Sequence, residues 1–126
     1  NLFCYGLETC WWENQGGKFV RHALPRQVQA SVVQGILADD FNGDGSIDLL
    51  LAGNKHGFEV ETGPCDAGTG ALLANDGHGN FNWVNNLESG FWAEKEVRDL
   101  ALLRGPDGKR FVVVANNNGP VQVFGR

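Results

Sequence analysis

The feature that most constrains the fold is a series of short apolar runs, each followed by turn-forming residues. Three of these runs, residues 49–52, 71–74 and 111–115, are four or five residues long. Gly, Asn and Asp cluster after each run, and these residues favour tight turns because they tolerate unusual backbone angles. Runs of this length are typical of buried strands rather than of helices, which need about ten residues or more. The sequence therefore predicts an all-β fold.

The glycine content supports the same prediction. The chain has 18 glycines among its 126 residues, about twice the ordinary usage of roughly 7%. Glycine destabilises helix interiors but suits tight turns. Residues 121–124 alternate apolar and polar side chains, which indicates an edge strand. Residues 93–98 are a short helical candidate that could equally lead into a strand.

Two pairs of similar segments indicate an internal repeat. Residues 12–19 resemble residues 73–81, and residues 44–54 resemble residues 107–117. The copies are separated by roughly 60 residues, and such a period is typical of repeat architectures. We interpret the whole chain, 1–126, as a single all-β repeat segment with approximate repeat units 11–72 and 73–126.

A repeat unit with several short strands fits a four-stranded antiparallel blade of a β-propeller. Propellers have roughly four to eight blades, and only about two such units fit in this chain. The sequence is consistent with a fragment of a larger propeller, with a subunit that closes its ring by assembly, or with a small open sandwich.

Residues 40–48 form the most specific motif of the chain, here called the acidic loop. Oxygen-bearing side chains occupy its first, third, fifth and ninth positions, and glycines at 43 and 45 permit a sharp curl. Calcium prefers about six to eight hard oxygen ligands in flexible geometry. Three carboxylates this close also repel one another unless a cation is present. The predicted calcium ligands are the side chains of Asp40, Asn42, Asp44 and Asp48 and the carbonyl of Ser46.

The acidic loop begins like an EF-hand loop and then departs from it. An EF-hand has a bidentate Glu at position twelve, where this chain has Leu51 within an apolar run. We therefore expect the loop to join two strands, with Ile47 and Leu49 pointing into the core. The alternative is a turn rich in Asp, Asn and Gly that binds no metal.

The second repeat unit limits the number of such sites. Only Asp107 remains where the first unit has its four side-chain ligands; the aligned residues are Leu103, Gly105, Asp107 and Phe111. We expect a plain turn there and one calcium ion per chain.

These segments resemble the FG-GAP/VCBS repeat family, the calcium-loop blades of integrin α-subunits and many bacterial surface proteins. The acidic loop with residues 49–54, and the turn at 75–81, are similar to that family's two hallmarks. Residues 24–25 and 112–124 are similar to the final blades of bacterial VCBS-type propellers. The resemblance covers most of the chain from about Trp11 onward. One departure is that residues 52–54 read Ala-Gly-Asn where the family has Gly-Ala-Pro.

The resemblance implies a β-propeller, a calcium ion in the blade loop, and an extracellular or cell-surface location. It also implies a binding or adhesion module whose partner is a protein or a carbohydrate, with neighbouring blades or copies of itself as further partners. The alternative is that these blades have only a structural role in a larger extracellular assembly or enzyme.

Composition and motifs disfavour other functions. The net charge is −5 and Lys and Arg are not clustered, so a nucleic-acid partner is not expected. Membrane insertion is not expected because the chain lacks a run of about 20 apolar residues. The sequence contains no nucleophile elbow, zinc-protease motif or phosphate-binding loop. We therefore predict no enzyme activity, although a hydrolase or lyase that uses the metal directly is a third hypothesis.

Four tryptophans could stack on sugar rings or pack within the core; they are Trp11, Trp12, Trp83 and Trp92. If the adjacent pair lies on one strand, its two side chains face opposite sides and one is exposed.

In the long insertion 55–70, Glu59 and Glu61 could bind a second cation or a sugar, or they could form a solvated hairpin edge.

The cysteine count is odd, so at least one thiol is free or paired outside the chain. There are two alternatives: Cys4 and Cys10 form a disulfide, or these two cysteines and Cys65 are all unpaired thiols.

Overall fold

A computed structural model of the chain describes residues 2, 5–59 and 61–125. This part of the chain contains nine β-strands, one 3-10 helix and one short α-helix. The strands are β1 Cys10–Gln15, β2 Lys18–Ala23, β3 Val33–Asp39, β4 Asp48–Gly53, β5 Ala71–Asn75, β6 Phe81–Val84, β7 Val97–Arg104, β8 Arg110–Asn116 and β9 Gln122–Gly125. The 3-10 helix is Arg26–Gln29, and the α-helix, α1, is Asn86–Ser89. The predicted all-β fold is confirmed.

The strands form three antiparallel sheets in chain order. The first sheet pairs β1 with β2, the second has the order β3-β4-β5-β6, and the third has the order β7-β8-β9. Within each sheet, every strand pairs with its neighbour in sequence, and these connections are hairpins or short loops apart from the long insertion between β4 and β5. Longer segments, which contain the 3-10 helix and α1, lead from the first sheet to the second and from the second to the third. In the described residues the sheets remain separate and do not close into a ring.

The three apolar runs lie where the sequence predicts strands. They become β4, β5 and β8. The predicted edge strand at 121–124 overlaps β9, which begins one residue later and alternates half-buried and exposed positions. The helical candidate at 93–98 is not a helix. Its last two residues begin β7, because Val97 is fully buried and pairs with Asn116 of β8.

Strand β4 is buried on both faces, which explains its continuous apolar run. Leu50 belongs to a core cluster shared between the second and third sheets, with Val97 and Val114 among its other members. The next residue, Leu51, lies in a second cluster with Leu73 and others. Successive side chains of a strand point to opposite faces, so β4 joins the two clusters.

The expectation that Ile47 points into the core is wrong. Ile47 is 52% exposed, whereas the next residue, Asp48, is 0% exposed. Strand β4 begins at Asp48, and the alternation of the strand places this carboxylate inside. Leu49 is half-buried and packs against the second core cluster, as expected.

The two segments that suggested a repeat around residues 14 and 75 are both hairpin turns. Asn14 pairs with Phe19 between β1 and β2, and Asn75 pairs with Phe81 between β5 and β6. In each turn the Asn side-chain oxygen accepts a glycine N–H, at 2.8 Å from Gly17 in the first and 3.1 Å from Gly77 in the second. The repeat units 11–72 and 73–126 stay a prediction.

Asn54 joins the long insertion to the sheets. It follows β4 with φ of 83° and is fully buried. Its side-chain oxygen accepts bonds from the Ser31 hydroxyl and the Gly68 N–H. Its amide donates to the carbonyls of Gly68 and Glu94. A single side chain thereby fixes the end of the insertion and the segment that leads into β7.

Candidate metal centre

The acidic loop connects β3 to β4 at one end of the second sheet. Asp39 and Asp48 are the last paired residues of the two strands, so the loop closes this end of the β3-β4 hairpin. Gly43 and Gly45 have φ of 89° and 88°, which L side chains rarely adopt. The sequence folds this way locally because glycine reaches these angles without steric strain.

Asp40 holds the first turn of the loop. One carboxylate oxygen accepts the Gly43 N–H at 2.6 Å and the other accepts the Gly45 N–H at 3.0 Å. The side chain at position one therefore lies over the middle of the loop.

Asn42 and Asp44 form the outer half of the loop. The Asn42 oxygen accepts the Asp44 N–H at 2.8 Å, and the Asn42 amide donates to Asp44 at 2.8 Å. The Ser46 N–H donates to the other oxygen of Asp44 at 2.7 Å. The Ser46 N–H and, next, the Asn42 amide lower the pKa of Asp44 below its ordinary value. This carboxylate is thus ionised at neutral pH, as a calcium ligand must be.

Asp48 anchors the loop from inside the protein. One of its oxygens accepts the N–H groups of Phe41 and Asn42, at 3.0 and 3.3 Å. The other accepts the Asn75 N–H at 3.0 Å. Because it is fully buried with three N–H donors, this carboxylate has a structural role whether or not a metal binds.

The donor chemistry of the loop fits calcium. All five predicted ligands offer hard oxygen atoms, and an ionised carboxylate has about four acceptor sites. Asp40 and Asp44 each use two for the bonds described above, and Asp48 uses three, so each retains capacity. Within the described residues, no group of three or more His, Cys, Asp or Glu side chains is close enough to hold a metal ion. The structure therefore does not bring the carboxylates of Asp40, Asp44 and Asp48 together as a metal-binding group. The other two predicted ligands are the Asn42 amide oxygen and the Ser46 carbonyl.

The segment whose sequence aligns with the acidic loop is a tight turn between β7 and β8, as expected. The Gly105 N–H donates to the Lys109 carbonyl at 2.8 Å, and Gly108 has φ of 78°. The Asp107 carboxylate accepts the Lys109 N–H and pairs with its ammonium group at 2.8 Å. One acidic side chain is therefore matched by one basic side chain.

Two residues next to the acidic loop were not predicted from the sequence. The Asn75 side chain donates to the Ile47 carbonyl at 3.1 Å, and Arg110 donates to the Asp40 carbonyl at 2.6 Å. Asn75 was singled out only as a turn residue. Arg110 carried no sequence signal, since it lies 70 positions from Asp40.

The tryptophans divide between core and surface. Trp11 stacks on His22 with ring centroids 4.5 Å apart. Trp11 and Trp83 both pack against the second core cluster. Trp12 is 57% exposed, so the prediction that one of the adjacent pair faces solvent is confirmed. Trp92 is also exposed, and its indole N–H donates to Glu94 at 2.9 Å.

The other candidate residues lie outside this centre. Glu59 and Glu61 are exposed in the insertion. Cys10 and Cys65 are free thiols in the described part of the chain, and Cys4 lies outside the described residues.

Comparison of the chain with protein-family models, curated proteins and solved structures gave no match. In the ranges described above, no helix has the length and apolar character needed to cross a membrane.

Proposed function

We propose that this chain is a calcium-binding, extracellular module of the FG-GAP/VCBS type. The observation that carries the proposal is the acidic loop. Five oxygen ligands fall within nine residues, and two glycines with positive φ curl the loop at the end of a strand pair. The bound ion neutralises Asp40, Asp44 and Asp48 and orders the loop, so calcium stabilises the fold.

The proposed architecture is a set of propeller blades. The four-stranded second sheet, with its strands in sequential antiparallel order, has the connectivity of one blade. The first and third sheets, with two and three strands, are parts of neighbouring blades in this proposal. The ring is completed by further blades or by other copies of the chain.

The proposed role of the module is to bind a protein or carbohydrate ligand in adhesion. Exposed aromatic side chains support this role, since Trp12, Phe19 and Trp92 offer flat apolar faces to solvent. Binding to immobilised glycans and extracellular proteins tests it. Loss of binding in Trp12→Ala or Trp92→Ala, with retention in Leu103→Ala as the exposed control, supports a ligand-binding module. Failure to bind any ligand favours the alternative, blades with a purely structural role.

Calorimetric titration of calcium into the chelator-stripped chain tests the metal site. We expect about one ion per chain and a rise in Tm, because a ligand at 100 times its Kd stabilises the folded state by about 2.7 kcal/mol. Asp44→Ala should weaken binding and reduce the rise in Tm. Asp107→Ala, which removes the acidic side chain of the aligned turn, is the matched control and should bind as the wild type does. Absence of heat and of a Tm change in the wild type would refute the proposal.

A further inference from the structure

The acidic loop is in contact with the third sheet through its first residue. Asp40 precedes the glycine turns, and its carbonyl oxygen accepts a bond from Arg110 Nη1 at 2.6 Å. Arg110 is the first residue of β8, the central strand of the third sheet. The loop belongs to the second sheet, so this bond joins two sheets at the site where calcium is proposed to bind.

The peptide groups on both sides of Asp40 are fixed by the same cluster. Asp39 accepts the Asp40 N–H with one carboxylate oxygen at 3.0 Å. Its other oxygen lies 3.4 Å from Arg110 Nη1. The N–H and the carbonyl of Asp40 are therefore both held, and its carboxylate is held by the N–H groups of Gly43 and Gly45. A ligand whose backbone is fixed before the ion arrives loses less conformational freedom on binding.

The positive charge of Arg110 is partly offset at this position. The Asp39 carboxylate, only 17% exposed, contacts Arg104 at 3.2 Å as well as Arg110. A guanidinium near a calcium site would otherwise repel the ion. Arg110 can thus donate to the loop because its charge is paired with Asp39.

A second contact follows directly along the chain. Phe41, the next loop residue, packs against the core cluster shared by the second and third sheets, and its N–H donates to Asp48. Two consecutive loop residues therefore contact the third sheet: Asp40 through its carbonyl group and Phe41 through its ring.

We propose that Arg110 is a positioning residue for the calcium loop, and that its bond to the Asp40 carbonyl couples ion binding to the packing of the third sheet. This inference rests on the proposed calcium function. Coupling between two sites is reciprocal. Hence loss of the Arg110 contact weakens calcium binding, and calcium strengthens the third sheet.

The matched pair Arg110→Gln and Arg104→Gln tests the first half of this proposal. Each substitution removes one positive charge that contacts the same oxygen of Asp39, so each alters the long-range attraction for calcium in the same direction. Within the described residues, the Arg104 guanidinium bonds Asp39 alone, whereas Arg110 also bonds the loop. Calorimetry with calcium should give a Kd at least fivefold higher for Arg110→Gln than for Arg104→Gln. Equal Kd values for the two variants would overturn the inference.

Hydrogen exchange of the wild-type chain tests the second half and does not depend on the folding of any variant. Calcium should slow exchange of the amides in β4, which follows the loop, and also slow those of residues 111–114 in β8 by about tenfold. Slower exchange in β4 with unchanged exchange in β8 would overturn the coupling and leave the calcium site standing. No change in either strand, with no heat of binding, would instead refute the calcium site itself, and the inference with it.

Discussion

The Asp48 carboxylate accepts the backbone N–H of Asn75 at 3.0 Å, across the interface between the acidic loop and the turn that joins β5 to β6. The Asn75 side chain returns a bond to the carbonyl of Ile47. The two residues are 27 positions apart, so they hold together two connections at the same end of the second sheet. The calcium ion that we propose for the loop would act on this junction through Asp48.

Asp48→Ala should destabilise the chain strongly even in the presence of a chelator. The substitution removes the acceptor of three backbone N–H groups, two of which belong to half-buried residues, Phe41 and Asn75. Because an unsatisfied buried donor costs about 1–3 kcal/mol and water can reach the donor of the exposed Asn42, we expect a loss of about 2 kcal/mol or more. Urea unfolding in chelator measures it. Asp107→Ala, at an exposed turn, is the control and should have a clearly smaller effect. Equal unfolding midpoints for the two variants would contradict the structural role of Asp48.

Substitutions of Asn54 separate its backbone role from its side-chain role. Asn54→Gly keeps the positive φ at low cost and removes only the side-chain bonds, whereas Asn54→Ala loses the bonds and adds steric strain. The left-handed conformation disfavours an L residue such as Ala by about 1–2 kcal/mol. Thermal or urea unfolding should therefore rank the wild type above Asn54→Gly and the Gly variant above Asn54→Ala. A Gly variant less stable than the Ala variant would show that φ is not the limiting factor.

Ile47 and Leu51 should respond very differently to truncation. Leu51 is 2% exposed in the second core cluster, so Leu51→Ala should lose about 2–5 kcal/mol. Ile47→Ala removes an exposed side chain, and we expect a change within about 0.5 kcal/mol. The free energies of unfolding of the two variants provide the comparison. A large loss for Ile47→Ala would mean that this side chain is buried, as its sequence position suggested.

Stability should fall in acid because several carboxylates have lowered pKa values. The pKa of Glu96 lies below the ordinary 4.5, mainly because the Asn117 amide donates a hydrogen bond to its carboxylate. The pKa values of Asp76 and Asp107 lie below the ordinary 3.8, mainly because of hydrogen bonds from the Asn80 amide and the Lys109 ammonium group, respectively. The unfolded chain therefore takes up protons first as the pH falls. Stability is full above the ordinary pKa values and decreases as the pH falls through the folded ones.

Urea midpoints at about pH 7, 5 and 3, in chelator, test this expectation. The urea midpoint should change little between about pH 7 and pH 5, and it should be lower at about pH 3. Glu96→Gln keeps the shape of the side chain and should show a shallower drop. A midpoint that does not change down to the most acidic condition would contradict the lowered pKa values.

The strands and turns could be predicted because their signals are local. The run in β4 is apolar at every position from Leu49 to Ala52, and burial on both faces requires that pattern. Glycines at 43 and 45 mark the curl of the acidic loop, and both adopt positive φ. The five predicted ligands also lie within one short segment, so the sequence alone could propose them.

The start of β4 was harder to predict because one residue decides which side chain is inside. The sequence suggested that Ile47 was buried on the basis of its apolar character. The structure buries Asp48 instead, since its carboxylate finds three N–H donors that make burial possible. Two of those donors belong to the loop, and the third comes from the next hairpin.

The sequence by itself determined the all-β character, the positions of the buried strands and the composition of the acidic loop, because these depend on patterns within a few residues. Only the tertiary structure decided that Arg110 meets Asp40, that Asn75 meets Asp48 and that Asn54 fixes the insertion. These contacts join residues far apart in the chain, and their partners become neighbours only when the sheets pack together. Burial in that packing also makes the polar groups form hydrogen bonds with one another instead of with water.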